Sequence, residues 1–209
     1  MNKTVLAVTS QTGAGKDTLG DFLKKRGYVC VSLSDELRRY ALKNGLSVWK
    51  EDLQNLGDKV RGEFGSDILA RWVSGLDEFK TADKVVVTGV RHPAEIEYLR
   101  EHFGAKTIGL KASQETRFEF ARERDRLGDP ETFEKFVRLD NRELKNGNGN
   151  PHAMQVDECL CISDIVIYNE KRGTTKEESL RYFEENLDKA LSVIGIEWPG
   201  VGKERETGE

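Results

Sequence analysis

The chain is short of cysteine, proline and histidine, and it has no long apolar run. Of its 209 residues, three are cysteine, four proline and three histidine. An odd cysteine count excludes a complete disulfide framework. Cys159-x-Cys161 lacks the second pair and the nearby histidines of a zinc site. Cys30, Cys159 and Cys161 are therefore expected as core or boundary thiols in a reducing, cytoplasmic setting. His92, His102 and His152 lack metal-ligand spacing and are expected at surface or capping positions. No stretch stays apolar long enough to span a membrane, and no signal sequence precedes the first strand pattern. A basic excess is missing too. The net charge of −4 disfavours a polynucleotide partner. Small anionic ligands remain open, because local arginines can make a basic cleft on an acidic protein.

What is present is alternation. Apolar β-branched runs at Thr4–Thr9, Tyr28–Leu33, Lys84–Val87, Lys106–Leu110 and Ile162–Tyr168 read as five buried strands. Helical periods fall between them at Asp17–Lys25, Asp35–Lys43, Lys50–Phe64, Ser66–Leu76, His92–His102, Gln114–Arg126 and Pro130–Lys145, and after them at Lys176–Val193. Such alternation predicts an α/β fold, a five-stranded parallel sheet with helices on both faces. Trp49, Trp72 and Trp198 are expected as core or edge packing. Asn146–Pro151 reads as an exposed connector and residues 197–209 as a loose tail, leaving one domain over residues 1–196.

The first strand runs into Gly13-Ala14-Gly15-Lys16-Asp17-Thr18, and a helix follows at once. Strand, glycine loop and helix N-terminus in that order make a phosphate cradle. Backbone N–H groups point inward and the helix dipole favours negative charge. Lys16 supplies a point charge for the terminal phosphates. Asp35 and Arg91 follow the second and third strands, where an open parallel sheet carries its ligand crevice. Asp35 reads equally as an acceptor-facing carboxylate or as a helix cap beside Ser34, and Arg38 as an acceptor contact or a surface arginine. Gln155, Asp157, Asp140 and Arg142 are expected at the surface.

The loop departs from the general pattern, with Ser10 where glycine is usual and Asp17 directly after the lysine. Gly-Lys-Asp-Thr is similar to the loop of deoxynucleoside monophosphate kinases. Four later segments occur in the order and spacing of the same group: Ser32–Arg38, Val87–Pro93 with Glu95, Thr116–Arg126, and Ser163–Ile167 leading to Asn169 and Gly173. Over most of residues 3–193 the chain resembles the nucleoside and deoxynucleoside monophosphate kinase and dephospho-CoA kinase branch of P-loop kinases. The resemblance implies a three-layer P-loop kinase fold with a helical lid at about 117–150, and ATP with Mg2+ as cofactors. It implies transfer of a phosphoryl group to a nucleoside monophosphate, with dephospho-CoA or a non-catalytic nucleotide-binding role as alternatives. Its catalytic residues would be Lys16, Asp35, Arg91, Arg122 and Arg126. The donor nucleotide would lie on Gly13–Thr18 and Asn169, and the acceptor on Asp35, Arg38 and Arg91. The metal would be held through water near Asp17 and Thr18. Thr88 stands where the group carries an acid that organises that metal. The partners implied are small nucleotides, for a monomer or homodimer.

Overall fold

Val5, Leu6, Ala7 and Val8 are all buried, so the strand that carries them is covered on both faces. In the computed structural model, which describes residues 3–124, 131–144 and 149–196, this strand is β1 (Thr4–Ser10). With β2 (Val29–Ser32), β3 (Lys84–Val90), β4 (Lys106–Lys111) and β5 (Ile165–Tyr168) it forms one sheet in the order β2-β3-β1-β4-β5. Every pairing is parallel. The carboxyl ends of all five strands therefore lie along one rim. The chain is the expected three-layer α/β fold.

On one face, Val5, Ala7, Val31, Val85 and Val87 join a core with Leu33, Leu37, Leu69, Val73, Ile96 and Leu99. These come from α2 (Leu33–Lys43), α4 (Ile68–Ser74) and α6 (Pro93–Phe103), with α3 (Lys50–Phe64) and α5 (Asp77–Thr81) alongside. Leu6, Val8 and Val86 point the other way by strand alternation. There α1 (Lys16–Lys24) buries Leu19, Phe22 and Leu23. After β4 come α7 (Gln114–Arg124) and α8 (Phe133–Leu144), then α9 (Val156–Cys161).

Two short helices were not legible. Ser66–Leu76 is not one helix, because α4 ends at Gly75 and Leu76 is extended, so α5 starts afresh. The six residues of α9 are too few for a period to show. Trp72 stacks on Tyr40 at 5.0 Å, as edge packing. Trp49 corrects its expectation: it is 59% exposed at the N-cap of α3. Trp198 and the tail lie outside the described residues.

The chain divides into two compact units, one through Lys171 and one from Arg172. The second contains α10 (Lys176–Val193). Its capping box pairs the Thr175 side chain with the Glu178 N–H and the Glu178 carboxylate with the Thr175 N–H. Phe183, Leu187, Ala190 and Leu191 form its buried stripe.

Candidate active site

The loop between β1 and α1 is shaped by two glycines in the left-handed region, Gly13 at φ 83° and Gly15 at φ 97°. Close approach also demands glycine at both. A Cβ on Gly13 would lie 2.4 Å from the Arg117 carbonyl oxygen, and one on Gly15 would lie 2.4 Å from Asn169 Nδ2. Gly15 is the N-cap of α1 and no side chain caps that helix. Lys16 pairs with Asp17 at the mouth of the loop. A phosphate chain fits this arrangement: N-terminal helix N–H groups without a side-chain cap, a lysine beside them, and Thr18 in the first turn.

The loop is fixed through its carbonyls. Asn169, directly after β5, donates to the Ala14 carbonyl at 3.0 Å. Arg117, in the first turn of α7, donates to the Thr12 carbonyl at 3.0 Å and to the Ala112 carbonyl at 3.1 Å. Arg117 is 2% exposed and pairs in two-pronged fashion with Asp140 of α8. Arg117 is thus a support for the loop and faces no solvent-filled phosphate site. Asp140 corrects its surface expectation, since it is 1% exposed and also accepts from Gln114. Arg122 lies exposed on α7 with its guanidinium 5.9 Å from the Phe118 ring centre. Arg126 lies outside the described residues.

The turn after β3 is built to aim Arg91. The β1–β3 register slips at Gly89, so that Val8 faces Thr88 and Thr9 faces Val90. Glu95, fully buried, accepts from the backbone N–H groups of Arg91 and His92, and Arg61 pairs with it at 3.0 Å. His92 caps α6 by accepting from Ala94, as the sequence suggested, but it is 7% exposed. Gln155 donates its backbone N–H to the Arg91 carbonyl at 2.8 Å. Thr88 donates its hydroxyl to the Val31 carbonyl across the sheet.

Arg91 bonds Glu143 of α8, and so do residues of two other elements. Thr12 of the loop donates to Glu143 Oε2 at 2.5 Å, Gln54 of α3 donates to Oε1 at 2.9 Å, and the Lys50 ammonium lies 3.7 Å from Oε1. Burial alone would push the Glu143 carboxyl upward. Arg91, Lys50 and the Thr12 hydroxyl outweigh it and bring the pKa down to about 2. Arg142, next along α8, donates to Asn55 at 2.5 Å and lies 3.6 Å from Asp58, tying α8 to α3.

Asp35 and Arg38 pair with each other at 2.6 Å in the first turns of α2, with Asp35 exposed and Arg38 half-buried. The cap of α2 is Ser32, which accepts from the Asp35 N–H, not Ser34 or Asp35. Among the described residues no cluster of three or more histidine, cysteine or acidic side chains is placed to hold a metal. No helix there is long and apolar enough to cross a membrane.

Glu143, Gln54, Lys50 and Asp140 were missed. The one signal lay in spacing: Phe136, Asp140 and Glu143 share one buried stripe of α8. A hydropathy pattern scores its two carboxylates as solvent-facing.

Comparison with known proteins agrees with this fold. Residues 6–135 match the AAA domain family model. UPF0200 protein MJ1399 of Methanocaldococcus jannaschii is 30% identical over 91% of this chain and 92% of its own. UPF0200 protein PF1294 of Pyrococcus furiosus is 32% identical over 91% and 97%. Among solved structures, shikimate kinase from Bacteroides thetaiotaomicron superposes with a TM-score of 0.55 at 13% identity, over 90% of this chain and 98% of that one. At that identity the likeness is one of fold. The chain has a P-loop fold, and by these matches it belongs to the AAA domain family and to the UPF0200 proteins.

Proposed function

We propose that this protein is an ATP-dependent phosphotransferase whose acceptor is a nucleoside monophosphate, giving the diphosphate. One observation carries the reading: Thr12 of the donor loop and Arg91 of the β3 turn bond the same oxygen, Glu143 Oε2. A guanidinium thus stands one oxyanion away from the loop that would hold the donor phosphates. That is where an acceptor phosphate must sit for in-line transfer.

The parts have distinct tasks. Backbone N–H groups of Gly13–Thr18 and the Lys16 ammonium bind the donor phosphates. Lys16 also counters charge as it spreads in the transition state. Arg91 orients the acceptor phosphate, and Arg122 and Arg126 are the candidates for closing over the transferring group. Thr18 and Asp17 would hold Mg2+ through water, and that ion would supply charge neutralisation between donor phosphates. Asp35 and Arg38 stand as an ion pair at the acceptor end of the rim. The free thiols Cys30, Cys159 and Cys161 suit a reducing cytoplasm.

An ADP-release screen over ribo- and deoxynucleoside monophosphates and dephospho-CoA tests this. A monophosphate should give the highest turnover, and Arg91→Ala should then impair it far more than Asp35→Asn. An ionised phosphate needs positioning more than a base. A hydroxyl acceptor would reverse that order, because general-base help is worth about 10²–10⁴ in rate.

A further inference from the structure

Three separate elements place donors around a single carboxylate. The P-loop gives the Thr12 hydroxyl, α3 gives the Gln54 amide and the Lys50 ammonium, and the β3 turn gives the Arg91 guanidinium. Glu143 at their centre is 2% exposed. A carboxylate so buried loses several kcal/mol of hydration, recovered only through close cationic and hydrogen-bonding partners. Nothing in α8 itself requires an acid there, since Glu143 is the residue before its last.

The donor set has the composition of an oxyanion site: a hydroxyl, an amide N–H, an ammonium and a guanidinium suited to planar, two-pronged contact. It lies on the rim of the strand ends, beside the donor loop. Gln54 adds a second mark. It is 7% exposed, and its Oε1 is buried without a hydrogen-bond partner among the described residues. Most buried acceptors in folded proteins are matched, so one left open beside this donor set calls for an explanation. A ligand that brings an oxyanion and an adjacent hydroxyl would satisfy both features at once.

We infer that Thr12, Lys50, Gln54 and Arg91 form the binding site for the acceptor's oxyanion, and that Glu143 occupies it as an internal substitute until the acceptor arrives. The inference rests on the phosphate-acceptor reading for the identity of the ligand, but its test is one of binding. Glu143 and an incoming phosphate compete for the same donors, so the acceptor's apparent affinity is lowered by the fraction of molecules in which Glu143 is in place. Asp140, one turn earlier, keeps α8 on Arg117 while Glu143 withdraws. Lys50 and Gln54 become specificity residues, since they meet only the acceptor side.

The probe is inorganic phosphate, titrated calorimetrically into protein saturated with MgADP so that the donor loop is filled. Glu143→Ala and Glu143→Gln should bind phosphate about tenfold or more tightly than the wild type, and Arg91→Ala added to either should abolish the gain. Should the alanine variant not fold, the glutamine variant decides. In the wild type, saturating phosphate should speed amide exchange in the last turn of α8. Unchanged or weaker phosphate binding in a folded Glu143→Gln variant overturns the inference, as does unchanged α8 exchange at saturating phosphate. Loss of turnover in Glu143→Gln without tighter binding also overturns it, and would mark the carboxylate as a group acting on an acceptor hydroxyl. Tighter phosphate binding with no turnover on any monophosphate leaves the oxyanion site standing and removes the monophosphate reading. Turnover without tightening does the reverse.

Discussion

The proposed donor and acceptor ends of the rim are held by opposite means. At the donor end, Asn169 and Arg117 bond carbonyl oxygens of the loop, at Ala14 and Thr12. Neither bond uses a loop N–H, although that of Ala14 already donates to the Gln11 carbonyl at 3.1 Å. At the acceptor end the fixing group is an anion, Glu143, and it takes up the cations a ligand would want. On the proposed reading the donor cradle is ready before its ligand comes, whereas the acceptor site is assembled but filled from within. Preorganised donors need no rearrangement when charge develops. An internally neutralised site makes acceptor binding conditional on a movement in α8.

The largest effect should come from removing the donor end's support. Arg117 and Asp140 are both buried, and truncating one partner leaves the other an uncompensated charge. Arg117→Ala should cost about 3–5 kcal/mol of unfolding free energy, read as a fall in urea midpoint. A loss under about 1 kcal/mol would mean that the pair rearranges easily, and the contrast with the acceptor end would weaken.

Lys16→Ala tests the donor end's chemistry instead of its architecture. The lysine is 22% exposed at the loop mouth, so the fold should keep its melting temperature. Turnover should fall by about 10²–10³, as when one preorganised donor to developing charge is lost. Near-normal turnover in a folded variant would remove the phosphotransferase assignment.

Strong acid should undo the anchor of the acceptor end. The Glu143 pKa is lowered from 4.5 to about 2 in the folded protein. A depressed carboxylate contributes stability that is fully present above its unfolded value, and that is lost as pH falls through the folded one. The window therefore runs from about pH 4.5 down to about pH 2, and the contribution is on the order of 3 kcal/mol. Urea midpoints of wild type and Glu143→Gln should differ at pH 6 and converge only as the pH falls through about 2. A constant gap across that range would show that the carboxylate is held by packing and not by its charge.

The two ends also differed in how much of them the sequence disclosed. The donor loop is local: β1, Gly13, Gly15, Lys16 and α1 lie within some twenty residues, and glycine positions carry their own backbone meaning. Lys50–Phe64 and Lys176–Val193 were equally plain, since each is one long period. The acceptor end is assembled from residues 12, 50, 54, 91 and 143, and no local pattern joins them. Arg91 was readable only because a glycine and a strand end precede it. Glu143 and Asp140 look like the polar face of α8, and burial of both became evident only when their partners on other elements were in place. Buried ion pairs are the part of a fold that hydropathy reads with the wrong sign.

The smallest predicted effect separates shaping the loop from binding the ligand. Asn169 makes one neutral side-chain bond to the Ala14 carbonyl, and it stands where a Cβ on Gly15 would fall. Asn169→Ala removes that bond and opens the space. A net hydrogen bond contributes about 0.5–1.5 kcal/mol, so ATP affinity should fall by about two- to tenfold with turnover at saturating ATP little changed. Gly15→Ala in the same background should remain poor, because φ 97° disfavours a side chain whatever the room. If Asn169→Ala instead restored a Gly15→Ala variant, crowding alone would have set the glycine. If Asn169→Ala left ATP affinity unchanged, the loop would hold its shape through Gly13 and Arg117, and the donor end would rest on one support where the structure shows two.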